Sequence, residues 1–137
     1  MHFFDRLTKS NGKRRILLVD DEPGFTRLVQ VNLERSGLYE VREENDAVKA
    51  IDVAAEFKPD LVLLDLVMPR MDGVHVGRLI QNDPRLKHTR IMFLTGSITK
   101  SGNGMEIGGV PALAKPIGTK ELIAAIEELL AAPECRS

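Results

Sequence analysis

Asp20, Asp21, Asp65, Thr95 and Lys115 each follow a short apolar run, and together they are the side chains of this chain best suited to chemistry. The runs are Ile16-Leu17-Leu18-Val19, Leu61-Val62-Leu63-Leu64, Ile91-Met92-Phe93-Leu94 and Val110-Pro111-Ala112-Leu113-Ala114. As neighbouring parallel strands they would bring those five residues to one rim, the place where open α/β sheets bind ligands. Three carboxylates on one rim repel one another: two unit charges about 4 Å apart interact by roughly 4 kcal/mol at an effective dielectric near 20. Such a cluster calls for a cation. Oxygen donors without His or Cys suit a hard ion, and Mg2+, which keeps several waters and takes few carboxylates beside phosphate oxygens, fits best. With Asp20 and Asp21 on the ion, Asp65 is free to attack phosphorus, as carboxylates do when they form acyl phosphates. Charge spreading over the three equatorial phosphoryl oxygens then needs partners, and Mg2+, the Lys115 ammonium and the Thr95 hydroxyl offer one each.

Each residue alone has a plainer reading. Asp20-Asp21-Glu22 could complement a helix N-terminus for about 0.3–1 kcal/mol per charge. Asp65 could be a loop aspartate, Thr95 a turn residue and Lys115 a solvated charge. Their joint placement at successive strand ends argues for chemistry. His2, His75 and His88 lack a metal-ligand partner at helical spacing and read as solvated. Gly102 and Gly104 begin a nucleotide-loop pattern, but Ile107 stands at the third glycine position and no Lys-Ser pair follows, which argues against a nucleotide cradle.

The elements that must position these residues follow from the alternation of apolar runs with helical patterns, the mark of βα units around a parallel sheet. Continuous apolarity means strands covered on both faces. Tyr39-Glu40-Val41-Arg42-Glu43 alternates instead and reads as an edge strand, and Pro111 suits an edge position for the last strand. Phe25, Leu28, Val29 and Leu33 share one helical face, as do Ala47, Ala50, Ile51 and Ala54, and Leu122, Ile126, Leu129 and Leu130. Helices are expected to start at Pro23, at Asn45 and at Thr119, through a proline first turn or a capping side chain. A further helix spans about Asp72 to Gln81. Gly96, Gly102, Gly104, Gly108 and Gly109 crowd the next stretch, and each glycine inside a helix costs about 0.8–1 kcal/mol, so a helix there should be short, frayed or replaced by a loop.

A chain of 137 residues is about one domain. Its apolar fraction of 43% and formal net charge of -1 are those of a globular chain without a basic field, so nothing argues for binding nucleic acid or a membrane surface. The lone Cys135 permits no intrachain disulfide and fits a reducing cytoplasm. Residues 1–13 read as an N-terminal extension, neither signal peptide nor membrane span, followed by a domain over 14–132 and a tail at 133–137.

The set Asp20-Asp21, then Asp65 followed by Met68-Pro69-Arg70-Met71-Asp72-Gly73, then Thr95-Gly96, then Lys115-Pro116 resembles the receiver domain of two-component response regulators over roughly residues 14 to 132. The resemblance implies an α/β three-layer sandwich, a (βα)5 flavodoxin-like fold whose five-stranded parallel sheet runs in order 2-1-3-4-5. It implies that Asp65 is the phosphoacceptor and that Asp20, Asp21, Asp65 and the Val67 backbone carbonyl bind Mg2+. It also makes Thr95 the switch residue, Lys115 the neutraliser of the phosphoryl group, and Pro69, Gly73 and Pro116 structural, with a cis Lys115-Pro116 bond. The expected partners are a sensor histidine kinase or a histidine phosphotransfer protein and a downstream protein target, because no effector sequence follows Ala132.

Two departures bear on function. Receivers often carry an aromatic residue three positions before the lysine, and this chain has Ala112, a methyl group that cannot swing between rotamers. Switching would then fall to the glycine-rich segment, with phosphorylation ordering Ser97 to Gly109. Val67, two residues beyond Asp65, cannot orient an attacking water, so self-dephosphorylation should be slow. An aspartate-nucleophile phosphatase would want a second acid there, so enzymatic turnover is not expected. The competing reading is a receiver-like interaction module that works without phosphorylation.

Overall fold

The computed structural model describes residues 12–96 and 105–132. Their elements alternate as the runs imply: β1 (Arg14–Val19), α1 (Pro23–Arg35), β2 (Tyr39–Glu44), α2 (Ala50–Phe57) after a 3-10 turn at Ala47–Lys49, β3 (Leu61–Leu64) and α3 (Gly73–Asn82). A second 3-10 turn at Pro84–Leu86 leads to β4 (Arg90–Thr95), β5 (Glu106–Ile107), β6 (Val110–Ala114) and α4 (Thr119–Ala131). The sheet order is β2-β1-β3-β4-β6-β5, parallel throughout except for the antiparallel β5–β6 pair. The expected five-stranded order is therefore present with one strand added at the edge.

Strand side chains point alternately to the two faces, so a continuous apolar run feeds two cores at once. Leu17, Val19, Val62, Leu64, Ile91 and Phe93 pack under Ala50, Ala54, Phe57, Val76 and Ile80 of α2 and α3. Ile16, Leu18, Leu61, Leu63, Met92 and Leu94 pack on the other face, under Leu33, Leu122 and Ile126 of α1 and α4. The result is a three-layer sandwich. It carries no helix long and apolar enough to cross a membrane among the described residues.

Several local expectations are corrected. Leu28 is 60% exposed and does not join the packed face of α1, whereas Thr26 is fully buried there with its hydroxyl hydrogen-bonded. The cap after β2 is Asp46, whose side chain accepts from the Val48 N–H, and not Asn45. Thr119 is the first helical residue of α4; the preceding Gly118 N–H donates to the Glu121 carboxylate. β6 is not the sheet edge, because β5 covers its outer side, and Pro111 lies opposite Glu106, before β6 joins β4 at Ala112. A residue without an N–H fits where one ladder has not begun. The β5–β6 connection is Gly108-Gly109, both at positive φ (59° and 83°), the pattern of a type I′ hairpin that only such residues adopt without strain. No helix occupies residues 105–109; residues 97–104, to which the loop expectation also applied, lie outside the described residues, as do 1–11 and 133–137.

β2 is the true edge, as its alternation implies, and its open backbone is covered: the Gln30 amide donates to the Val41 carbonyl and the Val41 N–H donates to Glu34, both side chains from α1. At Val41 the edge therefore offers no free backbone group to another strand. Tyr39 opens β2 buried at 1% exposure, and its hydroxyl donates to the Glu127 carboxylate of α4 at 2.5 Å. Tyr39→Phe should cost about 1–2 kcal/mol in urea unfolding at neutral pH, because the lost bond is charge-assisted. Burial first, then the Glu127 contact, pushes the phenol above its ordinary value, so this contribution is whole below about pH 10 and is lost as pH rises beyond it. Since the chain has one tyrosine and no tryptophan, near-ultraviolet titration reports this group alone, and its phenolate band should appear only together with unfolding.

Candidate functional site

Register brings the candidate residues together. Val19 lies opposite both Glu44 and Leu64, Leu64 opposite Phe93, and Thr95 opposite Ala114, so the residues past these positions share the carboxyl rim of the sheet. Backbone bonds continue the ladder into the site: the Asp20 N–H donates to the Glu44 carbonyl, Asp65 N–H to Val19, and Lys115 N–H to Thr95. Asp20, Asp65 and Thr95 are buried at 3%, 7% and 1% exposure, and Asp21 stands further out. One carboxylate oxygen from each of Asp20, Asp21 and Asp65 lies within 4.8 Å of the others.

Two of those carboxylates are aimed by the chain beside them. The Glu22 N–H donates to Asp20 Oδ1 at 3.0 Å, and the Leu66 N–H to Asp65 Oδ1 at 2.9 Å. Lys115 reaches across from β6, its Nζ 2.5 Å from Asp20 Oδ2 and 3.6 Å from Glu22 Oε1. Burial pushes the Asp20 carboxyl above the ordinary aspartate value, and Asp65 adds to this, while the Lys115 bond and the Glu22 N–H pull it down without cancelling. Burial would likewise depress the Lys115 ammonium, but the bond to Asp20 and the charges of Asp20, Asp65 and Glu22 outweigh it and hold the lysine above its usual value. The cluster sets three carboxylates against one ammonium. Oxygen ligands alone, three of them anionic and clustered, fit a hard divalent cation.

A second set of residues, which sequence reasoning missed, supports this one. The Asn45 amide donates to the Asp20 backbone carbonyl at 2.7 Å and to Thr26 Oγ1 at 3.0 Å, and Thr26 Oγ1 donates to Glu43 at 2.6 Å. Arg27 completes the series on the other oxygen of Glu43 at 2.9 Å. Although burial pushes Glu43 upward, the hydrogen bonds from Thr26 and Arg27 prevail and hold it below the usual carboxylate range. The available signal was Thr26 itself, three and seven residues before the packed Val29 and Leu33, since a hydroxyl buried at that spacing needs a partner.

The loop after β3 is held from both sides. Arg70, at φ 71°, pairs with Asp46 from across the rim. Val67 is 65% exposed beside Asp65. The Met71 N–H donates to Pro69 O at 2.8 Å. Asp72 caps α3 by accepting from the His75 N–H. Gly73 does more than turn the chain: it is the first residue of α3, its N–H donates to Leu66 O at 2.7 Å, and a Cβ there would meet Asp65 O at 2.0 Å. The Lys115-Pro116 bond is cis, as expected.

Fold and rim together define a class: a doubly wound α/β domain whose carboxyl edge presents three clustered aspartates, a buried threonine and a fixed lysine. Comparison narrows it. The family model of the response regulator receiver domain matches residues 16–127. Among curated relatives, the DNA-binding dual master transcriptional regulator RpaA of Synechocystis is 36% identical over 118 residues, 85% of this chain and 48% of its own. The alkaline phosphatase synthesis transcriptional regulatory protein PhoP of Bacillus subtilis is 33% identical over 123 residues, 85% of this chain and 48% of its own. This chain thus spans about half the length of those relatives. Among solved structures, Vibrio cholerae chemotaxis protein CheY4 superposes with a TM-score of 0.73 at 26% identity, covering 85% of this chain and 98% of that one. A putative response regulator from Chloroflexus aurantiacus gives 0.74 at 25% identity, covering 88% and 99%. The chain belongs to the response regulator receiver family.

Gly73→Ala should be destabilising by about 1–3 kcal/mol in urea unfolding, because the added methyl has only backbone to displace. The backbone amide resonances of Asp65 and Leu66 should shift with it, whereas substitution at Gly24, where nothing lies within 4 Å of an added Cβ, should leave them in place.

Proposed function

We propose that Asp65 accepts a phosphoryl group from the phosphohistidine of a sensor histidine kinase or a histidine phosphotransfer protein, and that the domain passes the signal on by protein contact, in the cytoplasm. The observation that carries this reading is the cluster of Asp20, Asp21 and Asp65 oxygens within 4.8 Å, with the Lys115 ammonium drawn into it. Asp20, Asp21, Asp65 and the Val67 carbonyl would hold Mg2+, which when bound neutralises the carboxylates and the incoming phosphoryl oxygens.

The chain's own residues do the rest. An Asp65 oxygen attacks phosphorus, the phosphorus–nitrogen bond breaks, and the imidazole leaves with its electron pair. Leu66 N–H holds the other carboxylate oxygen, which fixes the attacking orientation. Lys115 leaves Asp20 for the phosphoryl group, and the Thr95 hydroxyl takes another of its oxygens. The domain turns over no outside substrate, since the exposed Val67 beside the acceptor offers no acid for a leaving group. Ala112, buried at 4% in β6, leaves no aromatic rotamer to report the event, which leaves switching to the glycine-rich Ser97 to Gly109. The same alanine and the glycine-rich segment favour a second reading, a receiver-like module that signals without phosphorylation.

Incubation with a small-molecule phosphodonor and Mg2+ should add one phosphoryl group by intact mass, and Asp65→Asn or chelation of the metal should abolish it; an unmodified wild-type chain would leave the second reading. Val67→Asn should shorten the lifetime of the acyl phosphate by about tenfold, on the order of a single hydrogen bond to the attacking water, measured by loss of label after donor removal.

A further inference from the structure

Lys115 is held on three sides by one short stretch of chain. Its Nζ lies 2.5 Å from Asp20 Oδ2, 3.6 Å from Glu22 Oε1 and 4.1 Å from the centroid of the Phe25 ring. Asp20 ends the β1 rim, Pro23 opens α1, and Phe25 is two residues further on, so the turn that starts the helix also builds the cradle. The ring is fixed from behind, since Phe25 packs with Val29 on the core that Leu33, Leu122 and Ile126 fill. A leucine would meet that packing need. Only an aromatic ring adds a negative face beneath an ammonium whose side chain is 15% exposed, where water screens the attraction weakly.

The position of that ammonium has a consequence for the aspartate cluster. Asp20 is one of its three donors, and Lys115 on Oδ2 competes with any other cation for that carboxylate. We propose that Phe25 is a positioning residue that biases Lys115 toward Asp20, and so sets how readily a divalent cation, and after it a phosphoryl group, can claim the site. The inference rests on the phosphoacceptor reading. An interaction made only while Lys115 sits on Asp20 stabilises that state alone, and by linkage it weakens whatever requires the lysine to leave.

The test is calorimetric titration with Mg2+ alone, with no phosphodonor present. Phe25→Leu should bind the ion about three- to tenfold more tightly than the wild type, the range of one partly desolvated cation–π contact, and Phe25→Tyr should match the wild type. In a Lys115→Met background, Phe25→Leu should have no further effect, which separates positioning of the lysine from a general change in packing. Without any substitution, the Lys115 ε-methylene protons should resonate upfield from the ring current of Phe25 and return toward ordinary values as Mg2+ is added. An unchanged affinity in Phe25→Leu, or the same gain with Lys115 absent, would overturn the inference while leaving Asp65 acylation intact. A wild-type chain that binds no Mg2+ would overturn both this inference and the proposed function.

Discussion

Like charges brought together beyond the ends of adjacent strands are the constraint on which the rest of this molecule depends. Asp20 and Asp65 are almost wholly buried, and Asp21 stands beside them. Parallel pairing of β1 with β3 forces that proximity, because Val19 and Leu64 are register partners and the aspartates come next. The burial that makes the two cores is therefore the same burial that makes the rim electrostatically tense. Lys115 relieves part of the tension from β6, while burial first, and the Asp65 charge last, hold the Asp20 carboxyl above its ordinary value.

Much of the remaining structure serves to hold that arrangement still. Asn45, Thr26, Glu43 and Arg27 form a series of hydrogen bonds that ends on the Asp20 backbone. Gly73 lets the first turn of α3 press against the backbone of Asp65 and Leu66, and Arg70 ties the acceptor loop to Asp46 on the far side. These contacts fix backbone, while the Asp20 and Asp65 carboxylates are themselves held on one oxygen each by the Glu22 and Leu66 N–H groups.

The sheet extends one strand beyond the strand that leads to Lys115. Here a two-residue strand and a glycine hairpin pair with β6, so the last parallel strand has a neighbour on each side. That pairing places the buried methyl of Ala112 in a strand hydrogen-bonded to both β4 and Met105.

The strand and helix order, the two-sided core and the membership of Asp20, Asp21, Asp65, Thr95 and Lys115 in one rim were legible in the sequence. They depend on periodicity and on the rule that ligands gather past the carboxyl ends of parallel strands. The wet alternation of Tyr39–Glu44 likewise announced an edge. What the sequence could not supply was the partner of each polar group. Asn45 looked like a helix cap and became a brace for Asp20; Leu28 looked like core and became surface while Thr26 went inside; Gly73, expected only to be structural, proved to be a point of backbone contact. The embrace of Lys115 by Phe25 was equally invisible, since the two are ninety residues apart in sequence and meet only because β1 and β6 end on the same rim. Periodicity depends on neighbours along the chain, whereas a hydrogen bond or a cation over a ring depends on which strands lie side by side, and only the folded register decides that.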